Sequence, residues 1–155
     1  MSSQVTERLG VELEAWINFL RAHAAVTRQF NAELQAEHGL TLSDFDVLAQ
    51  LARAPERALK RVELAERVLL TPSGITRLLT GLERAGWVEK GQCEEDARVT
   101  YAVLTDEGYE KYRQSSRTHR ASVRAMLTER FDKHELETLA SLLGRFPLRD
   151  SDACD

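Results

Sequence analysis

Ser73, Thr76, Arg77, Thr80 and Arg84 recur at intervals of three and four residues, so on a helix they share one face. Short hydroxyls and guanidinium groups gathered on one face suit nucleic acid. A hydroxyl approaches a phosphate or base edge closely, and an arginine pairs with a guanine or a phosphate. Thr71 stands where such a helix would begin. Gly74, expected inside it, weakens a helix by about 1 kcal/mol relative to alanine, which close approach of the backbone to DNA would explain. Lys60 and Arg61 precede this stretch, and Asp96 and Arg98 follow it in a polar segment. The candidate DNA contacts are therefore Lys60, Arg61, Thr71, Ser73, Gly74, Thr76, Arg77, Thr80, Asp96 and Arg98. Any single solvated helix face has this composition, so the weight falls on the elements around it. Catalysis has no comparable footing: the chain holds no G-x-S-x-G, no G-x-x-x-x-G-K, no H-E-x-x-H and no glycine-rich phosphate loop. Its four histidines fall in no metal-ligand spacing with a cysteine, so neither a metal nor a cofactor is called for.

The elements that must position these residues are legible from periodicity. From Leu9 a largely apolar stripe at Leu13, Trp16, Ile17, Leu20, Ala24, Thr27, Phe30 and Leu34 runs to His38-Gly39 and predicts one long helix. About seven turns exceed what a small core needs, which predicts that another chain covers part of the stripe. Ser43, with Asp46 at N3, is the expected cap of a second helix that turns Phe45, Leu48, Leu51 and Ala52 inward and ends at Pro55. A short helix over about Val62 to Val68 and the turn Leu69-Leu70-Thr71 follow. Thr71 at the N-cap and Pro72 at N1 then open the polar-faced helix, with Ile75, Leu78, Leu79 and Leu82 on its apolar side and Gly86 as its stop. Residues 87–90 and 99–104 read as two short strands joined by a polar loop from Gly91 to Arg98. Thr105 should cap a fifth helix with Asp106 and Glu107 in its first turn. Its middle, from Arg113 to Ser122, has no large apolar residue and reads as a bridge between packed regions. Asp132 with Glu135 opens a last helix striped by Leu136, Leu139, Leu142, Leu143 and Phe146.

Helix, short turn, helix and hairpin form the order of a winged helix-turn-helix, whose second helix enters the major groove. Six segments add a resemblance: LSDFDVL from Leu42 to Leu48, ELAE from Glu63 to Glu66, ITR from Ile75 to Arg77, LERAGWV from Leu82 to Val88, DAR from Asp96 to Arg98, and VLTDEG from Val103 to Gly108. In this order and spacing, across roughly residues 10 to 146, the chain resembles the MarR family of bacterial transcriptional regulators. The resemblance implies a mainly α fold with a small antiparallel β-hairpin wing. Residues 42–106 would form the winged helix-turn-helix domain, residues 1–36 and 107–146 a helical dimerisation region, and residues 147–155 a flexible acidic tail. It further implies a homodimer on a pseudo-palindromic double-stranded operator, acting as a repressor that a small aromatic or phenolic effector releases. The family wing usually reads Asp-Arg-Arg, whereas this chain has Asp96-Ala97-Arg98. Arg98 then keeps the role of the arginine that enters the minor groove, Asp96 holds the wing, and one arginine is missing.

For the effector, Trp16, Phe19 and His23 on the first helix, Phe45 on the second and His119 on the fifth are the candidate pocket residues, against the alternative that they are ordinary core. Cys93 and Cys154 form no C-x-x-C and are expected as free thiols. Cys93, in the wing, leaves a thiol-based redox sensor as one alternative, and a winged-helix protein-interaction module without DNA binding is another. The formal charge of −4 comes from 21 basic and 25 acidic residues. Between Leu59 and Thr105 the two signs balance, so the flanks carry the excess and no broad basic surface is expected. The first twenty residues hold charges every few positions and no long apolar run, so neither a signal peptide nor a membrane span is expected, and the chain reads as cytoplasmic.

Overall fold

The computed structural model describes residues 10–68, 74–92 and 94–146. Helix α1 (Val11–His38) follows the apolar stripe and stops at Gly39, whose left-handed backbone (φ 66) lets its N–H reach the carbonyls of Leu34 and Gln35. Helix α2 (Leu42–Arg53) is capped by Thr41 rather than Ser43. The Thr41 hydroxyl accepts the Asp44 N–H at 3.0 Å, and the Asp44 carboxylate accepts the Thr41 N–H at 2.8 Å. Thr41 and Ser43 both precede an aspartate by three residues, and the earlier one closes the reciprocal pair. That start buries Leu42, whose N–H is also taken by Asn31 of α1 at 2.9 Å.

After α2 comes a tight turn, Pro55–Arg57, in which Glu56 (φ 54) and Arg57 (φ 56) both take left-handed backbone. Arg57 is held there: its guanidinium lies 3.7 Å from the Tyr109 ring centroid and 3.2 Å from Asp106. Because a non-glycine residue in this region costs about 1 kcal/mol, Glu56→Gly is expected to stabilise the fold by roughly that amount. Chemical denaturation checks this, as a raised midpoint with an unchanged slope.

Strand β1 (Ala58–Lys60) was not expected from the sequence. Three residues without a β-branched side chain give no alternating signal. Helix α3 (Arg61–Arg67) follows, with Leu64 and Val68 buried beneath it. Helix α4 (Ile75–Arg84) has Gly74 at its cap in left-handed backbone (φ 81), so this glycine lies at the helix start and not, as the sequence suggested, within it. Strands β2 (Val88–Gln92) and β3 (Thr100–Leu104) form the wing. Gly91 belongs to the ladder opposite Tyr101 rather than to the loop. The β2–β3 hairpin is joined by β1 in a three-stranded antiparallel sheet ordered β1-β3-β2.

Helix α5 (Asp106–Thr128) is capped by Thr105, whose hydroxyl accepts the Gly108 N–H at 3.0 Å, and helix α6 (Lys133–Leu143) by the reciprocal Asp132–Glu135 pair. The polar middle of α5 is exposed on one side, at Arg113, Arg117 and Arg120, and buried on the other. Ser115 is fully buried and Ser116 nearly so, and the Ser115 hydroxyl donates to its own helix at Lys111 O, 2.7 Å away. Small residues there let α5 pack against α1 and α2, and His38 Nε2 meets Thr118 Oγ1 at 2.7 Å.

Two cores result. The larger joins Leu40, Leu48, Leu51, Leu59, Leu64, Leu79, Leu82, Val88 and Leu104 beneath the winged-helix elements. The smaller joins Phe30, Leu34, Leu42 and Met126 where α1, α2 and α5 meet. Trp16 (54% exposed), Leu20, Leu142 and Phe146 (58%) leave apolar surface uncovered on α1 and at and just past the end of α6. Among the described residues no helix is long and apolar enough to cross a membrane.

Candidate nucleic-acid interface

Helix α4 separates its faces as its sequence predicts. Leu79 and Leu82 are buried, while Thr76, Arg77 and Arg84 are exposed. Thr80 is half-buried and its hydroxyl donates to Thr76 O at 2.9 Å, so it is less free to reach a ligand than Thr76. Among the described residues nothing lies within 4 Å of a Cβ built on Gly74, so its glycine answers to the backbone φ. Lys60 is exposed at the start of α3, with its N–H on Glu63 Oε2 at 3.3 Å, and Arg61 is half-buried. Thr71 and Ser73 lie outside the described residues, as do Leu69, Leu70, Pro72 and Cys93.

At the wing tip Asp96 grips Arg98 three times. The Arg98 N–H donates to Oδ1 at 3.0 Å, Nε to Oδ1 at 3.2 Å, and an Nη to Oδ2 at 3.4 Å. The guanidinium and then the backbone N–H hold the Asp96 carboxyl below its ordinary pKa. The Arg98 side chain is 91% exposed, so the grip fixes its direction without covering it. Ala97 is exposed beside it, as are Glu89, Glu94 and Glu95. Lys90 of β2 lies 3.8 Å from Glu83 of α4, a tie between wing and helix that sequence reasoning missed because the two residues belong to different elements.

The effector candidates do not form one pocket. Trp16 and Phe19 stack at 6.4 Å on the exposed end of α1, and Phe19 meets Phe146 at 5.7 Å. Phe45 and His119 pack together at 4.8 Å, with Phe30 edge-on to His119 at 5.1 Å, inside the junction of α1, α2 and α5. Burial lowers the His119 pKa, against the nearby Glu33 charge, which raises it. The Glu33 carboxyl is itself held low by hydrogen bonding from Gln29 and Ser122. His23 lies elsewhere, on an open groove of about 510 Å³ between α1 and the start of α2, with Thr27, Arg28, Asn31, Leu42 and Ser43. The repeat His23, Thr27, Asn31 at four-residue spacing was the signal for this groove. Among the described residues no group of three His, Cys, Asp or Glu side chains could hold a metal ion.

This arrangement presents an exposed polar helix face and a tethered arginine on one small sheet-and-helix unit, and the chain is similar to known proteins. The model of the MarR family matches residues 38–99. The HTH-type transcriptional repressor YetL of Bacillus subtilis (strain 168) is 33% identical over 70% of this chain, and the match spans 65% of that relative's own length. Sco3205, a MarR family transcriptional regulator from Streptomyces coelicolor solved in complex with DNA, is 29% identical with a TM-score of 0.79, covering 88% of this chain and 86% of that one. AbsC, a MarR family transcriptional regulator from the same organism, is 30% identical with a TM-score of 0.77, covering 87% of this chain and 90% of that one. Winged-helix elements and terminal helices alike are thus shared, in order and over most of both chains, and the chain belongs to the MarR family of transcriptional regulators.

Proposed function

We propose that this protein is a homodimeric, sequence-specific DNA-binding repressor whose operator binding a small aromatic or phenolic ligand relieves. The observation that carries the reading is the pairing of the exposed Thr76–Arg77 face of α4, backed by buried Leu79 and Leu82, with a guanidinium held outward at the wing tip. In a major groove the first turns of α4 reach base edges while Lys60 and Arg61 lie toward the phosphates. Residues 42–106 are the DNA-binding unit, and residues 1–36 and 107–146 the dimerisation region. The uncovered Trp16, Phe19, Leu20, Leu142, Leu143 and Phe146 support that division, since a second copy is what such a surface needs. Ligand would enter near His23 on the α1–α2 groove or at the His119–Phe45 junction, where the two regions meet.

Mobility shift on the DNA upstream of the protein's own gene tests the reading, with light scattering for the dimer. Arg77→Ala is expected to cost about 1 to 3 kcal/mol of operator affinity and to relax preference at one position in each half-site. Uniform weakening on all DNA would assign Arg77 to phosphate instead. A second reading, a winged helix that binds protein rather than DNA, is favoured by the acidic wing, with Glu89, Glu94 and Glu95 exposed around a single arginine. It gains if the folded dimer shifts no DNA.

A further inference from the structure

Helix α5 carries Arg113, Arg117, Arg120 and Arg124 at intervals of four, three and four residues, a single stripe of like charge. Like charges so spaced repel and weaken a helix by a few tenths of a kcal/mol per pair. The chain as a whole is acidic, so the stripe runs against its overall charge. Among the described residues only Arg113 is compensated by an ion pair: Glu110 accepts from its Nε at 3.1 Å and from an Nη at 3.3 Å. Arg117 lends its field to Glu110 without an ion pair, and neither Arg120 nor Arg124 has an ion pair among the described residues. Between these side chains lies a depression of about 240 Å³, lined by Tyr112, Arg113, Ser116, Arg117 and Arg120. Ser116 is nearly buried at its floor, and Tyr112 is braced from behind by Phe45 at 5.9 Å. Planar guanidinium forks match carboxylate and phosphate oxygens two at a time.

We propose that this face of α5 binds a small multivalent anion, a di- or tricarboxylate or a phosphate ester, between Arg117 and Arg120 above Ser116. A volume of that size suits a small molecule rather than a folded partner, and the anion removes the repulsion along the stripe. The site is separate from the α1–α2 groove, and the inference does not depend on DNA binding.

The test uses the full chain with citrate and with inorganic phosphate, each against sodium chloride of matched ionic strength, followed by thermal melting and calorimetry. Citrate or phosphate is expected to raise the melting temperature of the parent protein beyond the chloride control. Arg117→Gln/Arg120→Gln is expected to bind the anion at least about tenfold more weakly, while melting no lower than the parent in chloride because the repulsion is relieved. A response to citrate alone identifies carboxylates as the class, and a response to phosphate alone identifies phosphate esters. Equal binding by parent and variant, or no binding by the parent, overturns the proposal. So does a variant that falls from dimer to monomer with no anion effect in the parent, which would give the stripe to acidic residues of a second copy.

Discussion

Gly108→Ala is expected to be the most damaging one-carbon change in the described chain. A Cβ at this position would fall on the Trp87 carbonyl oxygen and lie 2.8 Å from Leu104 Cδ1. The Trp87 carbonyl cannot move aside, because it accepts the Thr105 N–H at 3.1 Å, while the Thr105 hydroxyl donates to Gly86 O at 2.7 Å. The first turn of α5 would have to lift off the junction of α4 and β2, at the upper end of the usual overpacking cost, about 3 kcal/mol. In a protein of this size that is a fall in melting temperature of roughly 6 to 12 °C, read by circular dichroism. Gly91→Ala is the control: its Cβ would meet Val103 Cγ2 at 3.1 Å, which can rotate, and Tyr101 Cβ at 3.3 Å, with no contact under 3.0 Å, so a smaller loss is expected. A Gly108→Ala protein that melts like the parent would show that the close approach of α5 to Trp87 is not a packing requirement.

Arg98→Ala is expected to remove most operator affinity. The wing tip has no other basic side chain between Gly91 and Val99, and the acidic residues around it leave Arg98 as the focus of positive potential. A narrow A·T-rich minor groove attracts such a side chain most strongly, so the loss should be greatest on operators with A·T flanks. Asp96→Asn separates presentation from charge. It weakens the grip on the guanidinium while keeping Arg98, and is expected to cost less than Arg98→Ala. Ala97→Arg, which restores the family pattern, should tighten binding through phosphate contact. Its benefit should shrink with salt, the slope of log K against log salt steepening by about one unit per new contact. Titration of all three variants on one operator at several salt concentrations decides the matter. If Arg98→Ala binds as the parent does, the wing is not a DNA element and the protein-interaction reading gains.

How far the sequence could be read depended on how far apart the deciding atoms are. The length of α1, the faces of α4, the Thr105 cap and the Asp132–Glu135 pair all rest on residues three or four apart, and they were legible. The Thr41 cap was misplaced by two residues because Ser43 offers the same chemistry, and the burial of Leu42 with its N–H on Asn31 separates the two. Strand β1 was invisible, since its pairing partner lies beyond two helices and another strand. The burial of Ser115 and Ser116 within the polar middle of α5 was not legible, because polarity alone does not reveal a close helix crossing. Among the candidate site residues, Thr76, Arg77 and Arg98 are exposed. The aromatic residues proposed for one pocket fall into separate clusters, because helical spacing fixes a face and not which neighbour covers it.

The pairing of β1 with β3 sets the topology of everything between them. Ala58, Leu59 and Lys60 lie against Val103, Ala102 and Tyr101, so α3, α4 and β2 sit inside a loop whose two ends meet in one three-residue ladder. Closing a loop of n residues costs about (3/2)RT ln n, which rises by only about 0.6 kcal/mol when the length doubles. Insertions within the loop, in the wing tip above all, are therefore cheap, and the enclosed elements can drift in length without loss of the fold. The ladder is the expensive part: once it opens, the ends separate and both helices lose their common frame together. The winged-helix unit thus behaves as one cooperative purse, drawn shut by three residues of which two, Ala58 and Leu59, carry no recognition chemistry of their own.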